Sequence, residues 1–336
     1  MLIIIPDARF DGPADIEQEA AGEAVEVRPY QAKSLDDIPD EVWAEADGML
    51  IWGVLRCDRA LLDRTPKLRV VSRMGVGFDV IDIEECGRRS IPACNVPDYG
   101  TTDIADHAIG LMLALSRGIV RHHEALREDP VGNFRAIGTP IMRRLRGRTF
   151  AIIGLGRIGT AAGLRARAFG MRVMFYDPYL LDGADLAVGF ERCESLEELL
   201  GEADVVSCHT PLTEETRGMI NGQTLSVMKQ DAILINTSRG EVVDVDAVTV
   251  ALKENRIAAA GLDVLPQEPP DPKQELFRAL KTREAWTVGR VILTPHAAWF
   301  SPDGATDLRS KAARNLAVYL AGGPIRNVVN QEHLAQ

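Results

Sequence analysis

Three side chains that could bind an anionic substrate and transfer a proton to it each follow a segment predicted to be a strand. Arg239 lies in a Ser-Arg-Gly turn, Glu268 precedes a proline, and His296 follows a Thr-Pro dipeptide. A guanidinium can hold two oxygens of a 2-keto acid, and an imidazole can protonate the carbonyl oxygen as a hydride adds to the adjoining carbon. A carboxylate beside that imidazole would favour the charged ring and fix its orientation. These residue types predict a minimal site for hydride transfer to a keto acid.

Each of these residues also has an ordinary structural explanation. An arginine after a strand is often structural, and a Glu-Pro pair is commonly only a turn. His296 is the most distinctive of the six histidines, yet on residue type alone the catalytic and structural explanations are about equally supported. His209 ends a predicted strand and could line a cofactor cleft. The remaining histidines lie in polar stretches or within a predicted helix: His107, His122, His123 and His333.

A glycine-rich turn predicts the cofactor that such a site needs. The turn at 154–159 has Gly-x-Gly-x-x-Gly spacing and joins an apolar run at 149–153 to a predicted helix at 160–169. The first glycine permits a tight turn, the second lets the backbone approach a pyrophosphate, and the third lets the helix pack on the strand. Asp177 ends a second apolar strand about 20 residues on, where such folds place a ribose-binding acid. A carboxylate there would repel a 2′-phosphate, so the cofactor predicted is NAD. The contacts predicted within the turn are Gly154, Gly156, Arg157, Ile158 and Gly159.

Apolar strands and helical segments alternate from the glycine turn onward at the spacing of βαβ units, which predicts a parallel, doubly wound sheet. The strands predicted in this part are 149–153, 172–176, 205–209, 232–236, 259–264 and 291–294. Ser195 and Glu198 have the spacing of a helix capping box, and 244–255 has the pattern of an amphipathic helix. Ligands bind at the carboxyl ends of the strands in open α/β folds, which is where the three candidate side chains would lie.

The N-terminal part repeats this alternation on a smaller scale. Its predicted strands are 2–5, 24–29, 48–52, 70–73 and 93–96. The last predicted helix, 302–321, follows the final strand of the larger domain, so the chain is expected to return to the smaller one. The predicted fold is α/β with two Rossmann-like or flavodoxin-like domains: a discontinuous substrate-binding domain of 1–98 and 296–336, and an NAD-binding domain of 99–295. A single long helix is predicted over 104–128, as a bridge between domains or subunits.

Composition and charge exclude several classes of protein. The 336 residues are 46% hydrophobic and 26% charged, which is ordinary for a soluble protein of about two domains. A net charge of −11 disfavours nucleic-acid binding, although the basic run 143–148 leaves a local patch as the less favoured alternative. No apolar run reaches the roughly 20 residues that span a bilayer, and the N-terminus lacks a basic leader, so we expect a cytoplasmic protein with no membrane partner. Five cysteines without a Cys-x-x-Cys pair disfavour a disulfide framework or a metal site and predict buried or semi-buried thiols.

The order and spacing of these motifs resemble the D-isomer-specific 2-hydroxyacid dehydrogenase family over essentially the whole chain. The resemblance is carried by the glycine turn with Asp177-Pro178, the Ser-Arg-Gly turn, Gly-Leu-Asp-Val followed by Glu-Pro, and Thr-Pro-His. It implies that Arg239, Glu268 and His296 are catalytic, and that Asp177 binds the ribose. It also implies that backbone amides of Gly75, Val76 and Gly77 bind the substrate carboxylate, and that the protein is a homodimer built across the cofactor domain. The further cofactor contacts implied are Thr102, His209, Thr210, Pro211, Thr237, Ser238, Arg239, Asp263 and His296.

A narrower resemblance, to the C-terminal-binding-protein branch of the family, rests on Arg73 and on the segments 94–97 and 296–301. Trp299 would give the substrate pocket a large apolar wall, and Arg73 would add a second cation for the substrate carboxylate. Packing between domains is the alternative role for Trp299. The features that depart from this branch are Val76 and the long segment 270–289.

The favoured hypothesis is an NAD-dependent dehydrogenase that reduces a 2-keto acid to the D-2-hydroxy acid, with a bulky apolar side chain on the substrate. One alternative is an NAD(H)-gated interaction protein like the corepressors of that branch. The other is a phosphoglycerate-, glyoxylate- or hydroxypyruvate-type dehydrogenase of the same family. The short stretch after the last predicted helix disfavours the first alternative, and Trp299 suits an apolar tail better than a phosphate.

Overall fold

The computed structural model describes residues 1–139 and 141–334, and its backbone divides the chain into two units. The first unit comprises Met1–Gly100 and Phe300–Gln336, and the second comprises Thr101–Trp299. The first unit is therefore discontinuous in sequence. The predicted boundaries, 98/99 and 295/296, lie two and four residues before these divisions at 100/101 and 299/300.

Short apolar runs form a parallel sheet in the first unit. Its strands are β1 (Leu2–Ile5), β2 (Glu26–Pro29), β3 (Gly48–Ile51), β4 (Val70–Arg73) and β5 (Ala93–Cys94). They pair in the order β2-β1-β3-β4-β5. Every residue of β1 and β3 is buried, as expected for parallel strands covered on both faces. The helices within 1–100 are α1 (Asp15–Ala21), α2 (Asp40–Glu45), α3 (Arg59–Arg64) and α4 (Ile83–Arg88).

A seven-stranded parallel sheet forms the second unit. Its strands are β6 (Thr149–Ile153), β7 (Arg172–Tyr176), β8 (Glu191–Arg192), β9 (Val205–Cys208), β10 (Ile233–Asn236), β11 (Ala259–Leu262) and β12 (Val291–Leu293). They pair in the order β12-β11-β10-β9-β6-β7-β8. The prediction of an α/β fold with two parallel sheets is confirmed. The sequence did not reveal β8, because Glu191 and Arg192 are both charged and form no apolar run.

Helices cover both faces of this second sheet. They are α5 (Thr101–Ser116), α6 (Ile119–Glu128), α7 (Arg157–Ala168), α8 (Ala184–Val188), α9 (Leu196–Glu202), α10 (Gly222–Val227), α11 (Val245–Lys253) and α12 (Glu275–Thr282). Along β6, Phe150 and Ile152 belong to one buried apolar cluster, and Ala151 and Ile153 belong to another. This alternation with period two buries both faces, which defines a doubly wound sheet. The last helix, α13 (Pro302–Leu320), belongs to the first unit and packs on α1, β3 and β4.

The prediction of one helix over 104–128 is wrong, because the chain breaks between α5 and α6. Gly118 has φ of 63°, a left-handed conformation that L side chains rarely adopt. A Cβ at this position would lie 1.9 Å from Met142 Cε. The apolar periodicity continues across the break, so the glycine was the one signal that the helix ends there.

The predicted capping box at the start of α9 is only half formed. Ser195 Oγ accepts from the Glu198 amide at 3.1 Å, as the motif requires. The Glu198 carboxylate accepts instead from the Glu194 amide at 2.9 Å, one residue before the cap. Glu198 therefore binds a backbone amide before the helix, but not the amide that the motif predicts.

All five cysteines are buried and free, as the sequence predicts. Burial raises the pKa of the Cys208 thiol to about 12, which keeps it protonated and unreactive. Within residues 1–139 and 141–334 no helix is both long and apolar enough to cross a membrane. The same residues contain no group of three or more His, Cys, Asp or Glu side chains that could hold a metal ion.

Candidate active site

The strand order of the second sheet creates a crevice at the carboxyl ends of β6 and β9. β6 is the first strand of this unit and lies between β7 and β9, so the connections leave it in opposite directions. Open α/β sheets bind ligands at such a switch point. The glycine turn follows β6 and His209 follows β9, so both predicted cofactor segments lie at this edge.

The glycine turn is closely packed at Gly154 and Gly159 and open at Gly156. Gly154 has φ of 88°, and a Cβ there would lie 3.0 Å from the carbonyl oxygen of His209. A Cβ on Gly159 would lie 2.3 Å from the carbonyl oxygen of Gly154, so a larger residue would push α7 away from the turn. Gly156, which precedes α7, has no atom within 4 Å of the place where its Cβ would stand. Open backbone at the start of a 12-residue helix fits a dinucleotide pyrophosphate.

The carboxylate of Asp177 lies beside this turn. Its Oδ2 atom accepts from the Leu155 amide at 2.9 Å, and its Oδ1 atom accepts from the Tyr179 amide at 3.1 Å. The parallel pairing of β6 and β7, with Ile153 opposite Tyr176, brings acid and turn together. A fixed negative charge next to a pyrophosphate site is the arrangement that binds ribose hydroxyls and disfavours a 2′-phosphate.

Two buried hydroxyl groups in the crevice could hydrogen-bond to a polar cofactor. Thr210 Oγ1 and Thr237 Oγ1 are buried and have no hydrogen-bond partner in the described part of the chain. They follow β9 and β10, which are adjacent, with Cys208 opposite Asn236. Because an unpartnered buried hydroxyl is costly, acceptors on a bound dinucleotide would stabilise both. The residues present therefore fit NAD.

Other predicted cofactor contacts are distributed around this edge. Pro211 lies in the turn after β9, where its carbonyl accepts from Thr216 Oγ1 at 2.7 Å. Thr102 lies in the first turn of α5, and its hydroxyl donates to Asp103 at 3.2 Å. Ser238 lies in the turn after β10.

His209 is held as a neutral imidazole. Its Nε2 atom lies 2.8 Å from Ser207 Oγ, and its amide donates to the Ile153 carbonyl at 2.8 Å. Burial lowers the pKa of the ring to about 4, because the protein desolvates the charged form. A neutral ring is suited to packing and hydrogen bonding, and cannot act as an acid near pH 7.

The turn that carries Arg239 is held by a side chain to which the sequence gave no role. Asn236 is fully buried, and its Nδ2 atom donates to the Arg239 carbonyl at 2.8 Å. Its Oδ1 atom accepts from the Ser238 amide at 3.0 Å and from the Ser238 hydroxyl at 2.8 Å. Arg239 Nη1 donates to the Ser238 carbonyl at 2.9 Å, which orients the half-buried guanidinium. A polar residue at the end of an apolar strand was the available signal for Asn236.

Gly240 brings the Arg239 turn against the loop that leads to Glu268. A Cβ on Gly240 would lie 1.9 Å from the carbonyl carbon of Leu265 and 2.4 Å from the nitrogen of Pro266. Only glycine permits this backbone approach. Two of the three predicted catalytic segments are therefore in direct contact.

The side chains of Glu268 and His296 lie at the distance of an ion pair. His296 Nδ1 lies 2.7 Å from Glu268 Oε2, and the Leu265 amide donates to Glu268 Oε1 at 3.0 Å. The side chains are 35% and 37% exposed for His296 and Glu268, so the pair is reachable by a small molecule. With Nδ1 engaged by Glu268, Nε2 of His296 is the ring nitrogen available to a substrate. His296 itself has φ of 53°, an uncommon conformation for a residue with a side chain.

Asp263, predicted to contact the cofactor, is 1% exposed and binds the loop that carries His296. Its Oδ1 atom accepts from the Ala297 amide at 2.9 Å, and its Oδ2 atom accepts from the Ala298 amide at 3.0 Å. The carbonyl oxygen of Asp263 accepts from the His296 amide at 2.7 Å. The carboxylate thus fixes the backbone on both sides of the candidate acid.

The predicted substrate loop follows β4 in the first unit. Gly75 has φ of 153°, and a Cβ there would lie 3.0 Å from Arg73 Nη1. The Val76 carbonyl accepts from Asn95 Nδ2 at 2.6 Å, and Gly77 is half-buried. The Arg73 side chain is therefore packed against the loop whose amides are predicted to bind a carboxylate. Trp299 is half-buried at the end of the second unit.

Comparison with known proteins identifies the relatives of this chain. The model of the "D-isomer specific 2-hydroxyacid dehydrogenase, NAD binding domain" matches residues 109–298. A glyoxylate reductase of Korarchaeum cryptofilum is 41% identical over 278 residues, which are 82% of this chain and 80% of that protein. A glyoxylate reductase of Thermococcus litoralis is 38% identical over 293 residues, which are 86% of this chain and 85% of that protein.

Solved structures give the same relationship at lower identity. A D-lactate dehydrogenase from Aquifex aeolicus, complexed with NAD and lactic acid, has a TM-score of 0.82 and 28% identity, covering 95% of this chain and 96% of that one. An NADPH-dependent glyoxylate/hydroxypyruvate reductase from Sinorhizobium meliloti, in complex with NADP and malonate, has a TM-score of 0.85 and 27% identity, covering 100% of this chain and 98% of that one.

Proposed function

This chain belongs to the D-isomer-specific 2-hydroxyacid dehydrogenase family, and we propose that it reduces a 2-keto acid to the D-2-hydroxy acid with NADH. The 2.7 Å contact between His296 Nδ1 and Glu268 Oε2 carries this proposal. With Nδ1 held by the carboxylate, Nε2 is the atom that gives a proton to the ketone oxygen. When bound, NADH supplies the hydride that adds to the carbonyl carbon. In the reverse direction, the neutral ring takes the hydroxyl proton of the 2-hydroxy acid.

Arg239 orients the substrate and stabilises the charge that develops on the ketone oxygen. Its Nη1 contact with the Ser238 carbonyl and the Asn236 clamp on its own carbonyl fix the turn before substrate arrives. A preorganised cation is effective where charge develops in the transition state. In this proposal, the amides of Gly75 to Gly77 and the cation of Arg73 hold the substrate carboxylate.

NADH is preferred to NADPH in this proposal because of Asp177. Its carboxylate accepts from the Leu155 amide within the glycine turn, so a negative charge lies where a 2′-phosphate would be placed. The NADPH dependence of the Sinorhizobium reductase shows that the cofactor can differ among proteins of this fold, so the preference needs its own measurement.

In this proposal the substrate carries a bulky apolar side chain, which packs against Trp299. Its indole offers a large flat surface to such a group. The two glyoxylate reductases, which are 41% and 38% identical to this chain, favour glyoxylate as a second candidate, and the Sinorhizobium reductase adds hydroxypyruvate. The resemblance to the C-terminal-binding-protein branch rests on the same tryptophan and on Arg73. The reductases and dehydrogenases among the relatives support an enzyme over an NAD(H)-gated interaction protein.

A substrate panel tests the proposal. Purified protein is assayed with pyruvate, glyoxylate, hydroxypyruvate, phenylpyruvate and a thioether keto acid, each with NADH and with NADPH. We expect oxidation of NADH and a higher kcat/KM for the larger keto acids. Highest activity with glyoxylate would overturn the bulky-substrate proposal and retain the reaction. No turnover with any keto acid would overturn the reaction itself.

A homodimer in the cytoplasm is part of the same proposal. Apolar side chains are exposed in α6 and in the segment that follows it, with Ile119 56%, Val131 83% and Phe134 81% exposed. Apolar patches of this kind commonly mark contacts between subunits. Light scattering after gel filtration should give twice the 36.7 kDa of the chain, and Phe134→Asp should lower that mass. A monomeric wild type would contradict the dimer.

A further inference from the structure

We propose that His107 is a positioning residue for proton transfer: it donates to Thr294, which holds the carboxylate of Asp263 and, through it, the backbone of His296. This inference rests on the proposed role of His296 as the acid. It is supported by a continuous series of hydrogen bonds that runs from α5 to the loop that carries the acid.

The distances settle the direction of each hydrogen bond in this chain. Thr294 Oγ1 lies 2.5 Å from Asp263 Oδ1 and 2.9 Å from His107 Nε2. A hydroxyl has one proton, and at the shorter distance that proton goes to the carboxylate, which can only accept. The hydroxyl oxygen must then accept from His107. The network therefore assigns a proton to His107 Nε2, which also lies 3.6 Å from Asp263 Oδ1.

Asp263 transmits this arrangement to the acid. Both carboxylate oxygens accept from amides of the loop, at Ala297 and Ala298, and the Asp263 carbonyl accepts from the His296 amide at 2.7 Å. His296 is held at φ of 53° between these contacts. A non-glycine residue keeps such a conformation only where its surroundings enforce it. A small rotation of the Asp263 carboxylate would move both amides and with them the imidazole.

His107 connects the loop to a rigid element. It lies on α5, which packs on β11 and β12, the two strands that precede Asp263 and Thr294. Without its donor, the Thr294 hydroxyl would be fixed from one side only. Displacement of a catalytic group by about 1 Å can cost up to 10²-fold in rate, so a modest relaxation suffices to lower kcat.

Paired variants test the donor independently of side-chain size. His107→Leu removes the donor, and His107→Gln retains an amide N–H near the position of Nε2. We expect His107→Leu to lower kcat about 10-fold with little change in the KM for NADH, and His107→Gln to restore most of the loss. Thr294→Val should resemble His107→Leu, and Thr294→Ser should resemble wild type. His123→Leu, at an exposed position of α6, is the matched control and should leave kcat unchanged.

The outcomes separate this inference from the proposed function. His296→Ala is measured beside the other variants, and retained activity in it would overturn the proposed acid itself. If His296→Ala is inactive while His107→Leu and Thr294→Val keep wild-type kcat, the positioning role is overturned. The positioning role would also be overturned if the activity of His107→Leu and Thr294→Val falls only in proportion to the fraction of protein that binds NADH, and if His107→Gln and Thr294→Ser do not restore it. The substitutions would then act on folding.

Discussion

The imidazole of His296 and the carboxylate of Glu268 meet at 2.7 Å, between Nδ1 and Oε2. The other oxygen of this carboxylate, Oε1, accepts from the amide of Leu265 in its own loop at 3.0 Å. The carboxylate is therefore oriented by backbone before it meets the ring. An acid whose partner is already in place needs little reorganisation when the proton moves, which is the main electrostatic advantage of an enzyme site.

Glu268→Gln should lower kcat by about 10²-fold while NADH binding stays close to wild type. The carboxylate accepts from the Leu265 amide on Oε1 and meets the imidazole with Oε2, whereas an amide has only one acceptor oxygen. Gln can satisfy either the Leu265 amide or the imidazole, and it brings no charge to stabilise the protonated ring. Steady-state kinetics and a fluorescence titration with NADH measure the two quantities separately.

The control for this experiment is Glu197→Gln, an exposed glutamate of α9. It loses the same charge far from the ion pair and should retain wild-type kcat. Equal kcat in Glu268→Gln and wild type would show that the 2.7 Å contact has no part in catalysis.

Asp177→Asn should raise the use of NADPH relative to NADH by about 10-fold or more. The amide side chain still offers an oxygen to the Leu155 amide, so the glycine turn keeps its geometry while the negative charge is lost. Removing a like charge beside a phosphate removes a repulsion of several kcal/mol at most. The ratio of kcat/KM for the two cofactors is the measurement, with the exposed Asp182→Asn as control. An unchanged ratio would show that another residue selects the cofactor.

His209 should make the protein less stable as the pH falls. Burial lowers the pKa of this ring from 6.5 to about 4, so the unfolded chain binds a proton between these values while the folded chain does not. The contribution of His209 is therefore complete above pH 6.5 and is lost progressively down to about pH 4. The loss between pH 7.5 and pH 5 amounts to about 2 kcal/mol at most.

Urea denaturation of wild type and His209→Gln at both pH values isolates this contribution. Carboxylates titrate in both proteins, so their effect on the free energy of unfolding cancels in the comparison. The remaining difference between the two pH dependences comes from His209. We expect the variant to lose less stability on acidification. Parallel pH dependences would mean that the ring is protonated in the folded state as readily as in the unfolded one.

Sequence patterns located the strands of both sheets, apart from β8, because apolar runs are local features, and they predicted which side chains follow those strands. The glycine turn, Asp177 and the Thr-Pro-His segment each lie at the end of an apolar run, and parallel pairing brings the ends of such runs to one edge. What the patterns could not show depends on contacts between distant segments. Asn236 clamps the Arg239 turn, and His107 reaches a threonine 187 positions later.

The break at Gly118 is a further example of this limit. Apolar periodicity continues through it, and Met142 from a separate segment occupies the place where a Cβ on this left-handed residue would stand. Periodicity reports which face of a helix is buried, but it does not report where packing against another segment ends the helix.

Gly240→Ala should damage both stability and activity, because its effect falls on two catalytic segments at once. The new Cβ would lie 1.9 Å from the carbonyl carbon of Leu265. This neighbour is a backbone atom, so it cannot move aside as a flexible side chain could. Either the Arg239 turn or the loop that leads to Glu268 must move. Overpacking of this kind costs about 1 to 3 kcal/mol, and a shift of about 1 Å in a catalytic group costs up to 10²-fold in kcat.

Gly222→Ala is the matched control, since no atom lies within 4 Å of its Cβ position and it opens the helix α10. Alanine has the higher helix propensity, so this variant should be as stable as wild type or slightly more so. Thermal denaturation and kcat of both variants test the prediction together. Wild-type kcat in Gly240→Ala would show that the contact with Leu265 does not fix the position of Arg239 relative to Glu268.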